Sequence, residues 1–295
     1  MKIHKNIKKA ASLLGSMLIL VSSAFMFTSC TSDWPTATIS ITFNKKNYSI
    51  DYKLNRKFFP QTVQHFIELA DGGYYNGLCV HDYDSTGMYT GTYLYNTEED
   101  ALSERNYYEY IQSEGLKLTP SVYSDDAMTP ETALLTVAGE YIFDITNNDK
   151  KYGAEKKGSL VMYHNPIESD VSKLLSPVTV KNSYTEGTSS RPYKDHCATS
   201  QFYFSLTSSS SVNKNYTVFA DLLNEDAENE FKALTSAIDA FIQAQNYDEG
   251  TSGFTEEAVM DVFVGDRYLD QYNLTETYNV PKEPIVINKI TITGY

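Results

Sequence analysis

The chain has 295 residues, 41% hydrophobic and 13% aromatic, with a formal net charge of -14. Its 15 Gly and 9 Pro are too few for a low-complexity polymer, and 24 Lys and Arg against 38 Asp and Glu exclude the basic surface that a nucleic-acid partner needs. One enlarged folded domain is expected, with a β-rich interior, because 24 Tyr and 14 Phe stand against a single Trp.

Lys2, Lys5, Lys8 and Lys9 form a positive segment followed by the apolar run Ala10 to Phe27, which is the build of a secretory signal. The run ends in Phe27-Thr28-Ser29-Cys30, which resembles a bacterial lipobox and makes Cys30 the expected site of lipidation. About 18 apolar residues also lie near the lower limit for a membrane span, so an uncleaved helix is the alternative. The expected division is a signal peptide over 1–29, a tether over 30–36 and a domain over 37–295. Loss of 1–29 removes four positive charges and no acid, taking the net charge from -14 to -18. The expected location is the bacterial cell membrane, lipid-anchored and facing outside the cytoplasm. Cys79 and Cys197 then remain; they are compatible with one disulfide or, as preferred, with two buried thiols.

Along the domain, Thr38 to Phe43 alternates polar and apolar residues, and Tyr48 to Tyr52 repeats the pattern, predicting an entrance hairpin. After Pro60, the residues Val63, Phe66, Ile67 and Ala70 fall on one face, and Asp71-Gly72-Gly73 stops the helix. His65 is expected on that helix's surface. A second helix is read over Asp226 to Gln245, with Phe231, Leu234, Ile238, Phe241 and Ile242 on one face.

Five blocks in order carry a resemblance. Pro60 to Leu69 leads into Gly73-Tyr74-Tyr75-Asn76-Gly77-Leu78 and His81; Gly139-Glu140-Tyr141 and Gly158-Ser159-Leu160-Val161-Met162 follow. Ser200-Gln201-Phe202-Tyr203-Phe204 is paired with Tyr216-Thr217-Val218-Phe219-Ala220, and Pro284 to Ile292 closes the series. The chain resembles the cyclophilins over roughly 37–293. The resemblance implies a mainly β fold: a closed antiparallel eight-stranded barrel capped by two helices near 60–71 and 226–245. Three long loop insertions, at about 96–138, 165–197 and 246–282, would lie outside it, reshaping the groove, binding another envelope component or forming solvated loops.

The activity implied is peptidyl-prolyl cis-trans isomerisation on proline-containing segments of exported proteins. That reaction breaks no covalent bond; it crosses a rotational barrier of about 18–20 kcal/mol and needs an apolar proline pocket with donors that favour the twisted amide. The resemblance places Met88, Gln201, Tyr203, Val212 and Tyr216 in the peptide groove. It departs at the family's arginine, which is Asp82 here, and at Gly87 and Thr90, where Phe and Gln are usual. Ser211 holds the place of a common Trp, and Tyr163-His164 that of Ala-Asn. No catalytic residue can be assigned; Arg191 is the candidate replacement donor.

No cofactor is expected. His81, His164 and His196 lack metal-ligand spacing, and neither a phosphate-cradling Gly loop nor Gly-x-Ser-x-Gly occurs. Two functional classes remain: an isomerase weakened by Asp82, or a non-catalytic peptide- or protein-binding module on the same scaffold.

Overall fold

The computed structural model describes residues 32–96, 98, 101–140, 152–162, 177–183, 187–192, 197–213, 216–245, 253–261 and 275–295. Cys30, Tyr163, His164 and His196 lie outside the described residues, as does the expected signal segment. The entrance hairpin joins β1 (Thr36–Phe43) to β2 (Lys46–Leu54), with Phe43 opposite Lys46. Its two-residue turn, Asn44-Lys45, has φ of 44° and 62°, the left-handed pair whose twist matches the flanking strands. Alternation then buries Ala37, Ile39, Ile41 and Phe43 on one face.

Six further strands complete the main sheet: β3 (Asp82–Tyr83), β4 (Gly87–Thr90), β5 (Leu160–Met162), β6 (Phe202–Ser205), β7 (Thr217–Leu222) and β8 (Ile285–Gly294). Their order is β8-β1-β2-β7-β5-β6-β4-β3, antiparallel throughout. The expected closed barrel is corrected to an open, curled sheet with β8 and β3 at its edges. The segment before β3 lies between those edges and forms isolated bridges, Leu78 to Leu94 and Cys79 to Val286, instead of a ninth strand. Gly77 and Val80 donate to Ile287 and Ile285 of β8, Cys79 donates to Tyr93, and His81 donates to Tyr89.

Among the described residues, three helices accompany the sheet, one more than expected: α1 (Pro60–Asp71), α2 (Tyr107–Ser113) and α3 (Glu225–Ala244). Phe59 gives the first turn of α1 no side-chain cap; instead the buried Glu140 carboxylate accepts from the N–H groups of Gln61 and Thr62 at 3.2 and 2.7 Å. A carboxylate there satisfies orphan donors and faces the positive end of the helix dipole. Asn224 caps α3 through the N–H of Ala227, and Phe231, Leu234, Ile238 and Ile242 are buried.

His65 is not on the surface. Besides its sheet-facing stripe, α1 is covered by the chain at Thr199 and by Tyr107 of α2, leaving His65 4% exposed. Its Nε2 lies 2.8 Å from the Thr199 carbonyl, and burial pushes its pKa down to about 4, so the ring is neutral at pH 7. The interior centres on Phe66, whose ring meets Tyr75, Phe202 and Phe219 at centroid distances of 5.3, 5.6 and 4.9 Å. Such pairs add about 0.5–1.5 kcal/mol each beyond area burial.

The three segments expected as long loops contain regular structure where they are described. A four-stranded sheet joins Thr188–Pro192, Pro177–Lys181, Val122–Tyr123 and Ala133–Leu134 in that order. Tyr93–Asn96 pairs with Ala101–Glu104, and Thr255–Asp261 with Thr275–Pro281. Cys79 and Cys197 are buried thiols with no bridge between them.

Candidate functional site

One row of side chains crosses five strands. Val218 of β7 is opposite Val161 of β5, Val161 is opposite Tyr203 of β6, Tyr203 is opposite Tyr89 of β4, and Tyr89 is opposite Asp82 of β3. Val161, Tyr203 and Val218 form an apolar cluster with Tyr89 and Tyr216, separate from the main core. The Tyr89 and Tyr203 rings lie 4.8 Å apart, and Tyr216 meets Tyr203 edge-on at 6.2 Å.

Acidic groups border these rings. Glu155 accepts hydrogen bonds from the hydroxyls of Tyr203 (3.1 Å) and Ser205 (2.9 Å) and from the Asn213 amide, while Asn213 accepts from the N–H of Tyr216. At the other end, Asp82 accepts from the backbone N–H of Asn279 at 2.8 Å. Burial raises the Asp82 pKa, opposed by the Asn279 hydrogen bond and reinforced by the charge of Asp84. Burial, then the charge of Asp82, raises Glu276 likewise. The Tyr89 hydroxyl is pushed up to about 12, chiefly by burial, and burial together with Glu155 raises Tyr203 further.

A carboxyl with a raised folded pKa favours the protonated state of the fold. Its contribution is present below the unfolded carboxylate pKa and is lost as pH rises through the raised value. Asp82→Asn keeps an acceptor for Asn279 and removes the charge facing Glu276. It should therefore raise the melting temperature at pH 7 and weaken the decline in stability between acidic and neutral pH. Thermal unfolding across pH 4–8 checks this, and an unchanged pH profile would show that the Asp82 charge is already well solvated.

The structure brings Asp82, Tyr203 and Tyr216 together. Gln201, nearly buried, precedes Tyr203 by two residues, and Val212 sits at the rim, bridged to Ala154 beside Glu155. Met88 departs from the expected groove. It is opposite Phe204 and fully buried in the main core, because alternation along β4 turns its side chain to the face opposite Tyr89. Thr90 is likewise internal, donating to the Cys79 carbonyl at 2.8 Å. At Gly87 a Cβ would lie 2.9 Å from the Tyr203 ring and 3.2 Å from that of Tyr89. The two tyrosines therefore occupy the space that a side chain at this position would need. Arg191 pairs with Val178 in the four-stranded sheet rather than in the sheet carrying Asp82.

Sequence reasoning missed Tyr89, Glu155, Asn279 and Glu276. The alternation in Gly87-Met88-Tyr89-Thr90 holds the signal for Tyr89, since its neighbour Met88 is the apolar residue suited to the core. Nothing local marks Asn279 or Glu276, which reach the row from a distant hairpin. Among the described residues, no group of three His, Cys, Asp or Glu is placed to hold a metal ion. His81 is buried against Tyr93 and Tyr278, and burial lowers its pKa to about 3, so it is a neutral packing residue. A cavity of about 470 Å³ lies elsewhere, lined by residues including Cys79, Leu102, Met260 and Val280, and shares no residue with the row.

The antiparallel sheet and the ordered blocks across it agree with comparison to known families. The chain belongs to the family described as cyclophilin type peptidyl-prolyl cis-trans isomerase/CLD, whose profile matches residues 38–234. Asn279 and Glu276 lie beyond the matched span. Among solved structures, the chain is similar to a Cryptosporidium parvum cyclophilin type peptidyl-prolyl cis-trans isomerase, with 13% identity and a TM-score of 0.40, covering 89% of this chain and 99% of that one. A second structure of the Cryptosporidium parvum protein, in the presence of the dipeptide Ala-Pro, matches with 13% identity and a TM-score of 0.39, covering 88% of this chain and 99% of that one. No curated protein matches the chain.

Proposed function

We propose that this protein is a lipid-anchored envelope member of the cyclophilin family that binds proline-containing segments of exported proteins and isomerises them slowly. The observation that carries this reading is Asp82. A carboxylate held by Asn279 stands at the end of the tyrosine row, at the position where the family resemblance implies an arginine. Its charge repels a peptide carbonyl, whereas a guanidinium would donate to the twisted amide. Losing one such donor costs on the order of 100- to 1000-fold in rate.

The aromatic row supports binding independently of turnover, because Tyr89 and Tyr216, half-buried on either side of the buried Tyr203, offer flat apolar faces on which a proline ring can pack. This favours a second reading, a peptide-binding module with no isomerase activity. Titration of the domain, residues 32–295, with a labelled X-Pro peptide tests the part common to both. Saturable binding is expected, weakened about tenfold by Tyr216→Ala, which removes one aromatic wall. Absence of saturable binding by the folded wild type would reject both readings.

A further inference from the structure

Ser32 and Asp33, the first described residues, are fastened to the domain by the segment Arg56-Lys57. Arg56 donates through Nη1 to the Ser32 carbonyl at 3.2 Å, and the N–H of Lys57 donates to the Asp33 carbonyl at 3.0 Å. The Lys53 ammonium lies 5.0 Å from the centre of the Trp34 ring and 5.8 Å from that of Tyr152. Trp34 is half-buried against Phe58 and Tyr152, at 5.5 and 5.4 Å. The Lys57 ammonium lies 5.9 Å from the centre of the Phe58 ring that packs on Trp34, so the charges of Lys53, Arg56 and Lys57 surround the first three described residues, and the exposed Asp33 offsets one of the three. Nearby Asp221 is already engaged by Lys156, Asn55 and Ser159. This is a locally positive face on a chain whose net charge is -14.

We propose that the face formed by Trp34, Lys53, Arg56 and Lys57 docks on an anionic phospholipid surface. The proposal rests on the lipoprotein reading for its geometry. Cys30 precedes Ser32 by two residues, and two residues span at most about 7 Å. An acylated Cys30 therefore brings the surface around Ser32 to the level of the headgroups, because the tether expected over 30–36 is fastened to the domain from Ser32 onward. Basic residues near such a surface are attracted to anionic lipid, each adding a modest increment that falls off within a Debye length. Tryptophan suits the polar–apolar boundary of a bilayer. The acidic remainder of the domain is repelled by the same surface, so attraction and repulsion favour one orientation.

Trp34 is the single tryptophan and so reports this contact directly. The full-length acylated protein is reconstituted in phosphatidylcholine vesicles with or without about one third phosphatidylglycerol, each containing a brominated lipid quencher, and the intact mass of its amino-terminal peptide is measured. Quenching of Trp34 should be about twofold greater on the anionic vesicles and should return to the neutral-vesicle level in Lys53→Gln/Lys57→Gln. A salt titration of the wild type gives the same information without a variant, because screening should remove the difference. Acylated protein whose Trp34 quenching ignores both lipid charge and salt would overturn the docking surface and leave the lipoprotein reading intact. Unacylated protein that still shows salt-sensitive quenching on anionic vesicles supports the docking surface and rejects the lipoprotein reading.

Discussion

Asp82→Arg should raise the isomerisation rate of X-Pro peptides, on the order of 10- to 100-fold. The variant exchanges a carboxylate for a fixed cation beside Tyr89, supplying a donor to an amide whose charge distribution changes as it twists. Two features of the structure keep the gain below the full worth of such a donor. The N–H of Asn279 loses the acceptor that Asp82 provides, and Glu276, coupled to Asp82 by charge, can draw the new guanidinium toward itself. Asp82→Asn separates the effects: if it matches Asp82→Arg in rate, removal of negative charge is the whole effect and the donor contributes nothing.

Gly91→Ala should destabilise the domain by about 3 kcal/mol or more, enough to impair folding. Gly91 has φ of +113°, and a Cβ there would sit 2.4 Å from the Ser200 carbonyl oxygen and 2.7 Å from the Gln201 Cα. Both obstacles are backbone, so no side-chain rotation relieves them. The Tyr74 and Ser200 hydroxyls also hydrogen-bond to the Gly91 carbonyl, holding β4 close to the chain that leads into β6. Gly115→Ala is the control: φ is +64° and a Cβ would meet nothing within 4 Å. Its loss should be no more than about 1 kcal/mol. Equal losses at the two positions, measured by thermal or denaturant unfolding, would contradict the close-approach account.

Much of the scaffold was legible because its signals are local. The alternation in Thr38 to Phe43 and the apolar spacing of Val63, Phe66, Ile67 and Ala70 each follow from one element burying one face. His65 was misplaced because its burial comes from Thr199 and Tyr107, partners more than 40 residues away. The open sheet escaped notice for a similar reason, since segment 77–81 divides its donors among β8, β4 and the hairpin at Tyr93. At the site, the motif block predicted Tyr203 and Tyr216 in one groove but put Met88 there as well. Strand parity places Tyr89 in the row instead and sends Met88 inward. The hold on Asp82 could not be read at all, because Asn279 arrives from a strand 197 positions further along the chain.

The most direct measurement is the cis–trans exchange rate of an X-Pro peptide with the wild-type domain, residues 32–295, beside a cyclophilin that retains the arginine, at matched enzyme concentration. The account predicts saturable peptide binding with a kcat/KM on the order of 100- to 1000-fold below that of the arginine-bearing enzyme. Exchange at the same speed as the arginine-bearing enzyme would contradict it and would require another donor, with Arg191 the first residue to substitute.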